Sequence, residues 1–167
     1  TNAGLWRYLI GDTVRFTSLN PYRIKITGRT KHYINVFGEE LMIENTDKAL
    51  AKTAEEFKLD VIEYTVAPVF MKDKEEGAHE WMIEFKKNPD DLTSFVKRLD
   101  ENIQAINSDY EAKRYNNMTL NQLVLNVAKP NLFHLWLSKK DKLGGQNKIP
   151  RLSNDRSYLE QLIELNN

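Results

Sequence analysis

The strongest constraint on the fold of this chain is a strand followed directly by a helix between residues 79 and 106. Residues 79–86 (HEWMIEFK) alternate apolar and polar side chains, which predicts a half-buried β-strand. Asn88 offers a helix cap, and Pro89 followed by two acidic residues suits a first helical turn. The apolar residues that follow share one helical face: Leu92, Phe95, Val96, Leu99, Ile103 and Ile106. This pairing favours a sheet with helices packed on it.

The rest of the pattern extends this pairing into an α+β fold. The other predicted elements are a short strand from residue 32, strands over 61–70 and 120–129, helical turns over 108–115, and helices over 43–59, 131–143 and near the C-terminal end, the last capped near Ser153 or Asn154. From residue 32 the order is strand, helix, strand, strand, helix, strand, and then helices. This order predicts a four-stranded mixed or antiparallel sheet with two helices on one face, a ferredoxin-like arrangement.

The first thirty residues predict a separate set of strands. Residues 5–10 and 13–19 flank Gly11-Asp12, which is typical of a hairpin turn, and residues 22–28 alternate as a third strand. The chain starts without a methionine, in the approach to a strand. We therefore expect a fragment of a longer protein.

Composition excludes several classes of site. None of the 167 residues is a cysteine, which excludes disulfides, thiolate nucleophiles and cysteine-ligated zinc. The three histidines lie outside ligand spacing, so no metal site is predicted. The sequence contains no G-x-S-x-G, Walker or G-x-G-x-x-G motif. No apolar run approaches the ~18 residues of a membrane span.

Charge and aromatic residues leave non-enzymatic interpretations open. The net charge is zero, but residues 113–156 carry nine basic and only two acidic side chains. That stretch could face an anionic ligand, dock on an acidic partner or be a solvated face. Tyr64, Trp81 and Phe85 could stack on RNA bases or fill a core. The alternative to an enzyme is therefore an α+β module that binds a ligand, a partner or RNA, or a purely structural domain.

Three stretches in a fixed order carry candidate chemistry: YLIGD at 8–12, GRTKHYINVFG at 28–38 and GQNKIPR at 145–151. Together they resemble the carboxyl-terminal part of adenylate-forming enzymes, the superfamily of acyl-CoA synthetases and luciferases. T-x-A-G-L-W-R-Y-x-x-G-D-x-x-R at 1–15 and K-x-P-R at 148–151 are similar to the Gretchen Hagen auxin-responsive family of acyl-acid amido synthetases. We interpret the chain as a bacterial-type member.

The resemblance implies nucleotide-binding roles for residues of the first two stretches. Tyr8, Asp12 and Arg29 would contact ATP or AMP. The Asp12 carboxylate would accept hydrogen bonds from the ribose hydroxyls, and Arg29 would lie near the ribose or phosphate. Lys31 would stand at the hinge about which a small domain turns between the two half-reactions.

The third stretch would supply the mobile catalytic lysine. The resemblance assigns this role to Lys148, whose charge on a flexible stem suits a moving phosphate. The superfamily at large has P-x-x-x-x-G-K here, whereas this chain has G-G-Q-N-K-I-P-R. Lys142 or Arg151 therefore stay as alternatives for the same role.

The implied parent is an ATP-dependent ligase that forms an acyl-adenylate and then an amide. Residues 1–29 would end its large adenylating domain, and residues 30–167 would form its mobile carboxyl-terminal domain. ATP and Mg²⁺ would be the cofactors, a carboxylic acid and an amino acid the substrates, and the missing large domain the partner. We expect a cytoplasmic protein that contacts neither nucleic acid nor membrane. The glycine-rich phosphate loop is absent, so the fragment alone is expected to be inactive.

Overall fold

Seven strands and five α-helices lie within the residues that the computed structural model describes, which are 4, 6, 11–29, 33–71, 76–117, 119–140 and 148–167. The strands are β1 (Asp12–Leu19), β2 (Tyr22–Arg29), β3 (Tyr33–Ile34), β4 (Leu41–Met42), β5 (Val61–Val69), β6 (Ala78–Phe85) and β7 (Val124–Val127). The helices are α1 (Ile43–Phe57), α2 (Leu92–Gln104), α3 (Ser108–Arg114), α4 (Leu132–Lys139) and α5 (Ser157–Asn166).

The central sheet consists of β5, β6 and β7. β5 pairs antiparallel with β6, so that Val66 lies opposite Trp81, and β6 pairs parallel with β7. The expected four-stranded sheet is thus three-stranded within the described residues. The place of a fourth strand, outside β5, is taken by a short segment. Val66 N–H donates to the Arg151 carbonyl (2.8 Å), and Ser153 N–H donates to the Val66 carbonyl (3.1 Å).

α1 and α2 cover one face of this sheet, as the apolar stripe predicts. Phe95, Leu99 and Ile103 of α2 are fully buried, whereas the ends of the stripe, Leu92 and Ile106, are partly exposed. They meet a set of buried sheet residues: Tyr64, Val66, Trp81, Ile83 and Phe85. Because Tyr64, Trp81 and Phe85 lie inside this core, they offer no exposed platform for stacking RNA bases.

The start of α2 differs from the expected cap at Asn88. Asp91 is the N-cap residue, and its carboxylate accepts a hydrogen bond from Ser94 N–H (3.0 Å). Asp91 lies immediately before the first helical residue, where a side-chain oxygen reaches the unpaired amides of the first turn. The cap therefore lies three residues after the predicted one.

α4 and α5, the helices that the sequence pattern placed after the sheet without assigning them a face, cover the opposite face. Met82 of β6 is fully buried among side chains of both helices. The residues of this second core are Ala67, Met82, Ala128, Leu132, Phe133, Trp136, Ile149, Leu159 and Leu162. The prediction of a half-buried β6 is wrong, because helices that follow the sheet in sequence return to bury its second face.

A buried carboxylate on this second face is explained by α4. Glu84 is only 2% exposed. Its carboxylate accepts hydrogen bonds from Asn131 N–H (2.7 Å) and Phe133 N–H (3.5 Å) at the start of α4. The first amides of a helix lack partners within the helix and carry partial positive charge, which favours an anion there. Glu84 therefore fixes α4 to the sheet.

β1 and β2 form an antiparallel hairpin that turns at Asn20-Pro21, which are joined by a cis peptide bond. Gly11, just before β1, has a left-handed backbone (φ +82°) that glycine adopts without strain. The other side of the turn predicted at Gly11-Asp12 lies in residues 5 and 7–10, outside the described residues. That turn stays a prediction.

One face of the hairpin is apolar and uncovered. Val14 lies opposite Ile26, and Phe16 lies opposite Ile24, which places all four side chains on the same face. They are between 48% and 63% exposed. Contiguous apolar surface of this kind is typical of an interface with another structural unit.

We predict that Leu99→Ala lowers the free energy of unfolding of the chain by about 2–5 kcal/mol, because it leaves a cavity between α2 and the sheet. Urea unfolding followed by circular dichroism measures this. Leu135→Ala, at a partly exposed position of α4, is the matched control and should cost far less. Equal losses for the two variants would contradict the packing described here.

Candidate functional site

The hairpin places two of the predicted nucleotide residues side by side. Asp12 and Arg29 are cross-strand partners at its open end, next to the pair formed by Thr13 and Gly28. The sequence motifs give no reason to expect this pairing. Tyr8 and Lys31 lie outside the described residues, and the roles of all four stay predictions.

Lys148, the predicted catalytic lysine, begins a segment (residues 148–153) that is fixed to the central sheet. Its side chain is exposed, and no described residue forms an ion pair with it. The next residue, Ile149, is buried in the second core. The Pro150 carbonyl then accepts a hydrogen bond from Thr65 Oγ1 (2.6 Å). An exposed lysine thus stands at the end of an anchored stretch of backbone.

Arg151, one of the alternatives to Lys148, is held in an ion pair. Its Nη1 donates to both carboxylate oxygens of Asp47 on α1, at 2.8 and 2.9 Å. Its Nε lies 3.4 Å from Glu63 Oε1, and its guanidinium lies 5.2 Å from the centre of the Tyr64 ring. Two carboxylates neutralise this cation, which makes it a poor direct ligand for a phosphate. Lys142, the other alternative, lies outside the described residues.

Tyr64 supports this ion pair from inside the core. Its hydroxyl donates to Asp47 Oδ1 (2.6 Å) and lies 2.8 Å from Thr46 Oγ1, while its ring stacks on Trp81 at 5.4 Å. Burial, together with the hydrogen bond to Asp47, raises the pKa of Tyr64 well above its ordinary value. Tyr64 therefore stays a neutral hydrogen-bond donor that orients the Asp47 carboxylate.

An open groove of about 390 Å³ lies beside the ion pair, between α1 and the first half of β5. Its charged rim consists of Asp47, Asp60, Glu63 and Arg151, and its floor is apolar. Three carboxylates against one guanidinium disfavour binding of a polyphosphate. The groove is thus not a candidate for the phosphates of ATP.

Asn154 joins the end of this segment to the residues that follow the predicted hinge. Its side-chain amide donates to the Tyr33 carbonyl (2.7 Å) and accepts from Asn35 N–H (3.0 Å). The expected helix cap near Ser153 or Asn154 is therefore wrong: α5 begins at Ser157, whose N–H donates to Asp155 Oδ1 (2.8 Å). The Asn154 side-chain amide thus bonds the backbone of Tyr33 and Asn35 as a neighbouring strand would.

A buried hydrogen bond between a carboxylate and an imidazole fixes the region after the predicted hinge to β6. Glu39 and His79 are both fully buried, with Glu39 Oε1 2.8 Å from His79 Nε2. Glu39 Oε2 accepts a hydrogen bond from Phe37 N–H (2.7 Å). Burial opposes ionisation of Glu39, but the hydrogen bond and charge of His79 outweigh it and hold the pKa of Glu39 below its ordinary value.

His79 has a structural role, because its ring bonds the buried Glu39 carboxylate. Among the described residues, no group of three or more His, Asp or Glu side chains could hold a metal ion. Of the helices in the described part of the chain, none combines the length and hydropathy needed to cross a membrane.

The sequence motifs did not point to Asp47, Asn154 or Glu39. Asp47 lies in an ordinary amphipathic helix, and Asn154 lies in a stretch typical of a cap. The sequence offered one signal, at Glu39-Glu40. This acidic pair falls at a predicted strand and turn, whereas Glu55-Glu56, Glu75-Glu76 and Asp90-Asp91 fall in a predicted helix or a charged loop.

A protein family and several solved structures are similar to this chain. The model of the GH3 family C-terminal domain matches residues 44–157. A solved structure described as GH3.15 acyl acid amido synthetase aligns with 99% of this chain and 30% of its own, with a TM-score of 0.76 and 23% sequence identity. Another, described as AtGH3.15 acyl acid amido synthetase in complex with 2,4-DB, aligns over 99% and 31%, with a TM-score of 0.75 and 20% identity. No curated protein sequence matches significantly.

The chain spans only about 30% of the length of these solved structures. At identities of 23% and 20%, the similarity shows a shared fold, while the family match rests on the sequence of residues 44–157.

We predict that Glu39→Gln destabilises the chain near neutral pH by about 1.5–3 kcal/mol, because the buried hydrogen bond of His79 to a carboxylate is lost. A folded-state pKa below the unfolded value contributes stability above the unfolded pKa, and this is lost as pH falls through the folded pKa. The variant should therefore lose part of the acid-induced decline in stability. Urea unfolding from about pH 3 to 7 measures both effects.

The matched control is Glu40→Gln, at the exposed neighbouring position. It should leave both the stability and its pH profile nearly unchanged. An unaltered acid profile in Glu39→Gln would contradict the role of this pair.

Proposed function

Because the chain belongs to the GH3 family and carries its C-terminal domain, we propose that it is part of an ATP-dependent ligase that joins a carboxylic acid to an amine such as an amino acid. The family match over residues 44–157 is the observation that carries the proposal. The family resemblance first seen in the sequence motifs is thereby confirmed. The fold shared with two acyl acid amido synthetase structures supports the same proposal.

The proposed reaction has two steps. A carboxylate oxygen of the acid attacks the α-phosphorus of ATP, which releases pyrophosphate and forms an acyl-adenylate. The amine nitrogen then attacks the acyl carbon, the bond from that carbon to the AMP oxygen breaks, and the nitrogen loses a proton. The products are an amide and AMP. Such a reaction depends on positioning and on stabilisation of negative charge.

The open end of the hairpin is the proposed nucleotide contact of this chain. Asp12 accepts hydrogen bonds from the ribose hydroxyls, and Arg29, with Tyr8, contacts the ribose or phosphate. The cross-strand pairing of Asp12 with Arg29 supports this, because one ligand could reach both. Lys31 is the proposed hinge.

Lys148 is the proposed catalytic residue of the adenylation step. Its ammonium group would approach the α-phosphate and the attacking carboxylate. Its exposure and its anchored backbone support this role over Arg151, whose charge is already paired. No step is assigned to Mg²⁺, since no group of three or more His, Asp or Glu side chains among the described residues could hold a metal ion.

The proposed domain boundary follows residue 29. Residues 1–29 would belong to a large adenylating domain, and residues 30–167 would form a mobile domain beyond the hinge. The uncovered apolar face of the hairpin supports this division, because it needs a partner surface. The solved structures are about three times the length of this chain, which leaves room for a large domain in that place.

We predict that the full-length protein catalyses acid-dependent exchange between ATP and pyrophosphate, measured across a panel of carboxylic acids and 2,4-DB. Asp12→Ala and Lys148→Ala should each slow the exchange about a hundredfold or more, a loss of ~2.7 kcal/mol in transition-state stabilisation. The 167-residue chain alone should show no exchange.

Matched controls are Asp90→Ala and Lys86→Ala, which remove exposed charges of the same kind. Both should keep the unmodified rate. Robust exchange that tolerates loss of Asp12 and Lys148 would leave the enzyme class standing and contradict both residue assignments. Turnover by the isolated chain would contradict the domain assignment.

We predict that Phe16→Ser and Ile24→Ser barely change the stability of the 167-residue chain, because both side chains face solvent there. In the full-length protein they should destabilise by about 1.5–3 kcal/mol each, since the large domain would bury them. Chemical unfolding of both proteins measures the difference. Leu135→Ser, on α4, should behave alike in both, and equal behaviour of the hairpin variants would argue against a buried hairpin face.

A further inference from the structure

We propose that Arg151, held by Asp47, is a positioning residue that fixes Lys148 for the adenylation step. This inference rests on the proposed function, because it takes Lys148 as the lysine that approaches the α-phosphate. It assigns different roles to the two basic residues of the K-x-P-R stretch. Lys148 is exposed and contacts the ligand, and Arg151 holds the segment in place.

The geometry of residues 148–153 links the two side chains mechanically. Ile149 is buried in the second core, and the Pro150 and Arg151 carbonyls are both bonded to β5. Lys148 directly precedes this anchored stretch. Its Cα position therefore follows that of the segment, and a shift of the segment at Arg151 displaces the lysine.

The ion pair is the polar side-chain contact between this segment and α1, in addition to Leu152, which is buried in the core that contains Leu50 of α1. Asp47 Oδ1 and Oδ2 both accept hydrogen bonds from Arg151 Nη1. Asp47 is in turn oriented by the buried Tyr64 hydroxyl. Without the Arg151 guanidinium, the segment would keep its backbone bonds to β5 and the burial of Leu152 in the core, but it would lose its ion pair with α1.

The charge balance argues against a direct phosphate contact by Arg151. The guanidinium faces the carboxylates of Asp47 and Glu63, and its flat side lies over Tyr64. A phosphate would have to displace one of these carboxylates and overcome the negative rim of the groove. Lys148 has no described ion-pair partner to displace.

A double-mutant cycle in the full-length protein tests the proposal, with ATP–pyrophosphate exchange measured using the acid that supports the fastest rate. Arg151→Ala should slow exchange roughly tenfold, and Lys148→Ala about a hundredfold. If Arg151 acts only through Lys148, the double variant should be no slower than Lys148→Ala alone. Arg151→Lys, which keeps a charge for Asp47 to pair with, should recover part of the rate.

The matched control is Arg98→Ala, which removes an ion pair of similar exposure between α1 and α2. It should leave exchange unchanged. An equal slowing by Arg98→Ala would reduce the effect to general destabilisation and overturn the proposal. Multiplying effects of Arg151→Ala and Lys148→Ala would also overturn it, because Arg151 would then act independently.

Two further outcomes separate this inference from the proposed function. If Lys148→Ala leaves a robust exchange unchanged, the inference fails while the ligase assignment stands. If the unmodified protein binds no ATP and exchanges with no acid of the panel, the proposed function fails and the inference fails with it.

Discussion

The backbone pairing of Val66 with residues 151–153 is the interaction on which the candidate site depends. β5 lies at an edge of the central sheet, and its outward amide and carbonyl groups need partners. Arg151 and Ser153 supply them, at 2.8 and 3.1 Å. That pairing adds residues 151–153 to the edge of the sheet and places Arg151 next to Asp47. The exposure of Lys148 at a defined place on the surface follows from it.

Asn154, the residue that directly follows this segment, contacts the region after the proposed hinge. Asn154 bonds the backbone of Tyr33 and Asn35, and the Glu39–His79 pair ties that region to β6. The post-hinge residues, the sheet and the lysine segment are thus connected by contacts that all lie beyond residue 32. If a hinge at Lys31 turns, these parts have the contacts needed to move together.

Local periodicity accounted for the first layer of the fold but not for the second. The stripe of α2 and the alternation of β6 predicted a sheet with helices on it, because burial on one face leaves a regular pattern. Glu84 does not follow this alternation of buried and exposed residues. In an alternating strand it was expected to face solvent, yet it is buried against the first amides of α4. Nothing in the strand itself indicates that a later helix will begin beside Glu84.

Sequence motifs pointed to residues of the candidate site only where a motif is continuous in the chain. K-x-P-R singled out Lys148 and Arg151, but their different environments depend on Asp47, which lies far away in the chain. Asn154 looked like a helix cap because its local sequence suits one, and its amide instead found backbone partners near the start of the chain. Long-range pairs of this kind leave no local pattern, so side-chain chemistry alone could not assign them.

In the proposed ligase, Lys148 contacts the nucleotide while Arg151 stays paired with Asp47. A crystal structure of the full-length protein with a non-hydrolysable ATP analogue and a bound acid would test this arrangement. We predict Lys148 Nζ within about 3 Å of an α-phosphate oxygen, with the Arg151–Asp47 pair intact. A bound nucleotide whose α-phosphate is contacted by Arg151, released from Asp47 and with Lys148 turned to solvent, would contradict it.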